Sequence, residues 1–204
     1  MDVDIFDEKG SPINNMKGEL VCKTPFPSMP VKFWNDENNK KYKSAYFEKY
    51  NNIWHHGDFA KITNNGGFVI FGRSDTTLNP GGIRLGTAEI YNVVEKFDEI
   101  QESIVIGQSW KHDIRIILFV VLNSGYNLSN EIKDKIKKVV RSQASPRHVP
   151  SKIIAVSEIP KTKNGKLVEL AVKQTVEGEE IKNLEALANP DSLEQFKRIE
   201  ELNE

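Results

Sequence analysis

The hydrophobic pattern of this chain changes near residue 73, and this change limits the possible folds more than any other feature. Before it, short apolar runs alternate with turn residues, a pattern typical of antiparallel β-structure. These runs lie at residues 3–6, 19–22, 53–56 and 68–71. After it, helical periodicity alternates with strand-like runs, which indicates helices packed on a short sheet. We therefore predict an α+β chain with a β-rich piece at 1–73, a small α/β domain at 74–188 and a tail at 189–204.

The β-rich piece is too small and open to be a complete domain. Four short strands leave edges without partners, and such edges need cover in a stable protein. We therefore do not expect residues 1–73 to fold as a domain alone.

Two helices and three strands are expected after residue 73. The first helix has Thr87 as its N-cap and apolar residues at helical spacing, namely Ile90, Val93, Val94 and Phe97. The second begins at Ser129 or Asn130 and ends before Pro146. Strands are predicted at 104–106, 116–122 and 152–156. In the tail, three apolar residues predict one docked helical segment: Leu193, Phe196 and Ile199.

Composition argues against several classes of protein. Lys and Arg total 28 and Asp and Glu total 29, so the net charge of −1 does not favour a nucleic-acid partner. No apolar run approaches the roughly 18 residues of a membrane helix. Cys22 is the only cysteine, so no internal disulfide can form and a reducing cytoplasm is expected. No Cys and His spacing typical of zinc sites is present.

The first segment suited to chemistry is residues 54–58, where Asp58 follows Gly57 at the predicted end of a strand. A carboxylate there can accept two hydrogen bonds, and a ribose diol is an obvious donor pair. The alternative is a Gly-Asp turn between strands, which is common. The four histidines have ordinary structural interpretations, and we assign no catalysis to His55, His56, His112 and His148.

The second segment runs from residue 72 to residue 90 and contains Arg73, Arg84 and the pair Gly81-Gly82. Glycines let backbone amides approach a ligand closely, and arginine binds phosphate or ribose oxygens with a planar fork. The alternative is a glycine-rich hairpin between two domains.

The third segment, residues 160–166, presents three lysines on a short loop, and a moving loop can carry one of them to a developing negative charge. A solvated basic turn is the alternative there.

In this order the three segments resemble the adenylate-forming superfamily, which includes acyl-CoA synthetases, the adenylation domains of peptide synthetases and luciferases. The resemblance covers residues 18–166 and implies a large N-terminal domain followed by a small mobile one. Residues 1–73 would be the C-terminal β-subdomain remnant of that large adenylate-forming domain, with exposed edges and apolar surface. Residues 79–91, 147–151 and 165–169 resemble the acetoacetyl-CoA synthetase family in particular. Glu169 stands where many superfamily members place an arginine, and it does so in the manner of that family.

The resemblance also implies a role for each matching residue. Asp58, Arg73 and Arg84 would bind the nucleotide, and Lys166 would assist adenylate formation. Asp75 would be the hinge about which the small domain turns. The loop that approaches the pantetheine of CoA would contain Gly81 and Gly82.

The implied reaction joins acetoacetate to CoA through an acyl-adenylate, with ATP as a substrate and AMP and pyrophosphate as products. The chain lacks a Gly- and Ser/Thr-rich phosphate loop. The phosphate site, the acyl pocket and the Mg²⁺ ligand are therefore expected in a missing N-terminal domain, which would be the chain's partner. We expect the isolated polypeptide to be a C-terminal fragment with little or no ligase activity.

Three alternatives remain at this stage. The chain could come from another short-chain acyl-CoA synthetase, because the acyl pocket is absent. It could be a non-catalytic partner or regulatory remnant, or one half of a split enzyme.

Overall fold

The computed structural model describes residues 1–181 and 183–203, which form two sheets and four α-helices. The chain divides into two compact units, Met1–Asp75 and the residues from Thr76 onward. The predicted mixture of a β-rich piece and an α/β piece is confirmed. The domain limits inferred from the resemblance stay a prediction.

The N-terminal unit is built on an antiparallel sheet whose strand order follows the chain, β1-β2-β3-β4. Its strands are β1 Val3–Phe6, β2 Gly18–Cys22, β3 Trp54–Ile62 and β4 Phe68–Arg73. All four predicted runs are strands, but β3 continues well beyond the predicted residue 56. At the β4 edge, Phe68 is 48% exposed and Ile70 is 48% exposed, so the expected apolar surface is present.

A helix between β2 and β3, α1 Lys40–Tyr46, was not predicted from the sequence. The Asp36 carboxylate accepts hydrogen bonds from the backbone N–H groups of Lys41 and Tyr42, each at 2.8 Å, and so caps its start. Its packing face is aromatic instead of aliphatic: Tyr46, for example, stacks on Trp54 with ring centroids 3.7 Å apart. Such a face has no aliphatic periodicity for a sequence pattern to detect.

The C-terminal unit contains a three-stranded sheet in the order β5-β6-β7. Its strands are β5 Ile100–Trp110, β6 Asp113–Leu122 and β7 Lys152–Ala155. The β5–β6 pair is an antiparallel hairpin, and β7 lies parallel to β6. Pairing in the hairpin extends through polar residues up to Trp110 and Asp113, so both strands are longer than their apolar runs predicted.

Both faces of this sheet are covered. Leu118 packs in a cluster with helices α2 Thr87–Val94 and α3 Asn130–Gln143. Its neighbours Ile117 and Phe119 belong to a second cluster, which includes α4 Glu169–Glu177 and the tail. Alternate residues of a strand point to opposite faces, so burial on both faces explains the continuous apolar run of β6.

The predicted start of α3 is confirmed, since the Ser129 hydroxyl accepts from the Ile132 N–H at 3.4 Å.

The N-cap prediction for α2 is wrong: Gly86 is the N-cap, and its N–H donates to the Glu89 carboxylate at 3.1 Å. Thr87 is the first residue of the helix, and its hydroxyl donates to the Glu169 carboxylate at 3.3 Å instead of capping the helix. The helix ends at Val94, before the predicted Phe97.

Helix α4 was also missed, because its buried positions are few. Only Val172 and Thr175 are buried, while Leu170 is 44% exposed.

The docked tail segment is confirmed: it forms a 3₁₀ helix, Pro190–Phe196, in which Leu193 and Phe196 are buried. Among residues 1–181 and 183–203, no helix is both long and apolar enough to cross a membrane.

Candidate functional site

Asp58 and Arg73 lie directly opposite each other on β3 and β4. An Asp58 carboxylate oxygen lies 3.5 Å from the Arg73 guanidinium. Asp58 is therefore inside a strand and not at a strand end, which corrects the sequence-based expectation. The reason is a bulge: the register between β2 and β3 shifts here, and Gly57 has a φ of +83°.

Glycine at position 57 is favoured by its backbone conformation, and it also leaves room for the arginine side chain. A Cβ atom built on Gly57 would lie 2.6 Å from a terminal nitrogen of Arg73, closer than side-chain atoms approach each other. The positive φ would strain any other residue in addition. The Gly-Asp pair thus lets the Arg73 guanidinium lie flat over the bulge and reach the carboxylate of Asp58.

Arg73 connects Asp58 to the predicted hinge residue. Its guanidinium donates to both oxygens of the Asp75 carboxylate, at 3.4 and 3.3 Å, and to the His56 carbonyl at 3.3 Å. The side chains of Arg73 and Asp75 are 49% and 50% exposed. A half-exposed guanidinium in this geometry can be approached by an oxygen-rich ligand.

Arg73 and Asp75 line an open cleft of about 620 Å³ in the N-terminal unit. The cleft is lined by parts of α1 and the segment after it, by the start of β3 and by residues 73–75. Its volume lies in the range of small-molecule sites. The lining combines the stacked rings of Tyr46 and Trp54 with charged groups, which suits a ligand that has both planar and polar parts.

A buried carboxylate supports this cleft, and sequence reasoning missed it. Glu19 on β2 is 2% exposed and contacts three residues that line the cleft: Lys49, His55 at 2.9 Å, and Ser74. Burial by itself would raise the pKa of Glu19, but hydrogen bonds to His55, Lys49 and Ser74 and the charge of Lys49 lower it to about 2. The available signal was an acidic residue beginning an apolar strand run, Glu19-Leu20-Val21-Cys22.

The glycine pair of the second segment lies on a surface loop of the C-terminal unit. Backbone hydrogen bonds between Leu78 and Leu85, at 2.9 and 2.8 Å, close this loop at its base. Gly81 and Gly82 have φ values of +59° and +76°, so the loop depends on glycine. The Gly81 N–H donates to the Asp113 carboxylate at 2.9 Å, and this contact lowers the pKa of Asp113. Arg84 is exposed on the same loop.

Lys166 is exposed and follows a tight turn. The Gly165 N–H donates to the Thr162 carbonyl at 2.8 Å, and the Thr162 N–H donates to the Lys166 carbonyl at 2.9 Å. Lys161 on the same loop forms an ion pair with Glu102 at 2.6 Å. Within the described part of the chain, no salt bridge to Lys166 is formed, so its ammonium remains available for an anionic ligand.

Glu169, three residues after Lys166, connects two helices. Its carboxylate accepts from the Tyr91 hydroxyl at 3.0 Å and from the Thr87 hydroxyl at 3.3 Å, which joins the start of α4 to α2. The Tyr91 oxygen in turn accepts from the Val105 N–H at 3.0 Å. Burial and the neighbouring Glu169 raise the pKa of Tyr91 well above its ordinary value, so its hydroxyl stays protonated.

The structure therefore brings Asp58, Arg73 and Asp75 together, and it presents the glycine loop and Lys166 on the surface of the other unit. Among the residues it describes, no three His, Cys, Asp or Glu side chains gather to hold a metal ion.

Comparison with known proteins gives consistent matches. Residues 89–166 match the family described as AMP-binding enzyme C-terminal domain. The acetoacetyl-coenzyme A synthetase of Rhizobium meliloti (strain 1021) is 57% identical over 200 residues, which are 98% of this chain and 31% of that protein. The acetoacetyl-CoA synthetase of Rattus norvegicus is 44% identical over 206 residues, which cover 100% of this chain and 31% of that protein.

A solved structure agrees with these relatives. The acetoacetyl-CoA synthetase from Streptomyces lividans matches with a TM-score of 0.91 at 39% identity, over 100% of this chain and 31% of that one. These matches confirm the resemblance inferred from the sequence. The chain spans about 31% of the length of the curated relatives it matches.

Proposed function

We propose that the chain, whose residues 89–166 match the AMP-binding enzyme C-terminal domain family, is the C-terminal part of an ATP-dependent acetoacetate–CoA ligase. In the first step, acetoacetate attacks the α-phosphate of ATP, which yields acetoacetyl-AMP and releases pyrophosphate. In the second step, the CoA thiol displaces AMP and forms acetoacetyl-CoA. The observation that carries the proposal is the Asp58–Arg73 pair beside the cleft, in a chain similar over its whole length to acetoacetyl-CoA synthetases.

Asp58 and Arg73 are proposed to hold the ribose of the nucleotide. The Asp58 carboxylate is 21% exposed, so an oxygen can accept hydrogen bonds from ribose hydroxyls. The half-exposed Arg73 can donate to ribose or phosphate oxygens while Asp58 and Asp75 hold its guanidinium in place. Arg84 is the third proposed nucleotide contact.

Lys166 is proposed to assist the first step. Two anions, the acid and the α-phosphate, must approach each other, and a nearby ammonium stabilises the charge that develops between them. An exposed lysine without a salt bridge to a described residue can be carried to that place by movement of the unit that contains it.

The second step is proposed to use a different surface of the C-terminal unit. A turn about Asp75 would present the loop of Gly81 and Gly82 to the pantetheine of CoA. Both glycines are exposed and have no Cβ, so the backbone of this loop can lie close to a narrow ligand.

The remaining sites are proposed to lie in the part of the enzyme that this chain does not span. That part would supply the ATP phosphate loop, the acyl pocket and the ligand for Mg²⁺. No described cluster of side chains suits a metal, so no step here is assigned to Mg²⁺ through this chain. Cys22 is the single cysteine of this chain and cannot form an internal disulfide, which fits the proposed location of the enzyme in a reducing cytoplasm.

The test is an assay of the complete ligase that contains this chain. With acetoacetate, ATP, Mg²⁺ and CoA, we expect equal amounts of AMP and acetoacetyl-CoA, and the 204-residue chain alone should form neither. Acetate and propionate serve as competing acids. Faster turnover of either one would overturn acetoacetate as substrate, and no AMP with any acid would overturn the ligase assignment.

A further inference from the structure

Ser74 is held from two directions, although it immediately precedes the predicted hinge residue. Its N–H donates to the Gly57 carbonyl at 2.9 Å, and its hydroxyl donates to the buried Glu19 carboxylate. The next residue, Asp75, is the last of the N-terminal unit. Both the backbone and the side chain of Ser74 are thus held directly before the predicted hinge residue.

Glu19, which accepts the hydrogen bond from the Ser74 hydroxyl, is itself held in place. Glu19 is 2% exposed, and besides Ser74 it contacts Lys49 and His55. Removing a carboxylate from water is costly unless several partners replace the lost hydration. Here the partners come from three different segments, so the carboxylate and the groups around it have little freedom to shift.

The bond between Glu19 and Ser74 matters because Arg73, a proposed nucleotide contact, and Asp75, the predicted hinge residue, are close neighbours in the chain. Arg73 contacts the carboxylates of Asp58 and Asp75, and Asp75 is the residue at which rotation would occur. Only Ser74 lies between Arg73 and Asp75, so the two residues are about 7 Å apart along an extended chain. If rotation spread along this segment, it would pull the Arg73 guanidinium away from Asp58 and from the nucleotide.

We propose that Glu19 is a positioning residue that holds Ser74 as the immobile end of the hinge, so that rotation begins at Asp75 while Arg73 stays on the nucleotide. The role rests on the proposed ligase function, but the anchor itself is a property of the N-terminal unit. Glu19 touches neither reactant. It acts through Ser74 and, with Lys49 and His55, through the floor of the cleft.

The experiment compares Glu19→Gln, Ser74→Ala and the double variant in the complete ligase. Ser74→Thr keeps a hydroxyl and serves as the conservative variant, and exposed Ser28→Ala serves as the matched control. Hydrogen exchange reports the freedom of the hinge peptide, residues 73–76. Steady-state kinetics report kcat and the KM for ATP, and thermal unfolding reports stability.

We expect hinge-peptide exchange to become about tenfold faster in Glu19→Gln and in Ser74→Ala. We expect kcat to fall about tenfold with a rise in the KM for ATP, because the backbone next to Arg73 is less firmly positioned. The double variant should lose no more than Ser74→Ala, and Ser74→Thr should recover most of the loss. If Glu19→Gln does not fold, Ser74→Ala against Ser74→Thr carries the comparison.

Unchanged hinge exchange in a folded Ser74→Ala, or losses that multiply in the double variant, would overturn the anchor. Lower thermal stability with wild-type kcat and KM would also overturn it, since that is the result of a purely structural contact. If the unmodified enzyme forms no acyl-adenylate, the proposed function fails, whereas the exchange measurement still decides whether Glu19 anchors Ser74.

Discussion

The Glu169 carboxylate accepts a hydrogen bond from the buried Tyr91 hydroxyl, with the two oxygens 3.0 Å apart. This contact joins helix α4, which begins three residues after Lys166, to helix α2, which follows the Gly81-Gly82 loop. Two surface segments with different proposed roles are thus next to two helices that lie on opposite faces of one sheet and are joined by this contact. The loop carrying Lys166 and the glycine loop should therefore move together as parts of one unit.

Replacing Glu169 by alanine should destabilise the protein by about 1–3 kcal/mol, because the buried Tyr91 hydroxyl would lose its acceptor. Glu169→Gln keeps an acceptor oxygen and should cost less. Exposed Glu185→Ala is the matched control, with an expected change within about 0.5 kcal/mol. Urea unfolding of the three variants measures these differences. Equal stability of Glu169→Ala and Glu185→Ala would contradict a stabilising role for the contact.

Lys166→Ala should slow acyl-adenylate formation by roughly 10²–10³-fold, since one electrostatic contact to the transition state is lost. Thioester formation from supplied acetoacetyl-AMP should be spared, because the role proposed for the lysine is confined to the first step. Pyrophosphate release and acetoacetyl-CoA formation are measured separately in the complete ligase. Lys163→Ala, on the same loop, is the matched control. Equal loss of both half-reactions would refute the assigned role.

Asp75→Pro should impair the change between the two steps, because proline fixes φ near −65°. Overall turnover should fall by more than adenylate formation measured alone. Asp75→Ala removes the same carboxylate contact with Arg73 but leaves the backbone free to rotate, so it should lose less turnover than the proline variant. If Asp75→Pro retains the turnover of the unmodified enzyme, Asp75 is not the hinge.

Glu19 should make stability depend on pH in the acidic range. Its pKa is about 2 in the folded protein, compared with 4.5 ordinarily, so the folded state favours the ionised form. The stabilisation is therefore fully present above pH 4.5 and is lost as the pH falls towards 2. Its upper limit is roughly 3 kcal/mol. The free energy of unfolding, measured from pH 6 to 2.5, should fall less steeply in Glu19→Gln. Parallel curves for the two proteins would contradict the lowered pKa.

Phe196→Ala should destabilise the C-terminal unit by about 3–5 kcal/mol, since Phe196 is fully buried and its ring lies 4.9 Å from that of Phe119. The loss would release the tail from the second hydrophobic cluster. Leu184→Ala removes a side chain that is 44% exposed and should change stability by no more than about 0.5 kcal/mol. Denaturant unfolding compares the two, and similar values would show that the tail contributes little.

The sequence by itself determined the features whose information is local. The four strands of the first sheet could be located because apolar runs between turn residues carry their own signal, and helix α3 because its apolar face and its cap lie within one segment. The segments around Asp58, Arg73 and Lys166 were recognisable for the same reason. Their roles in binding and catalysis stay predictions.

Only the tertiary structure decided which distant residues meet. Glu19 finds Lys49, His55 and Ser74 at sequence separations of 30, 36 and 55 residues, and Glu169 finds Tyr91 at a separation of 78. No periodic pattern encodes such contacts, because they depend on how strands and helices pack after each has formed. The Gly57 bulge that places Asp58 inside a strand has the same origin, since it depends on the registers of β2 and β4 against β3.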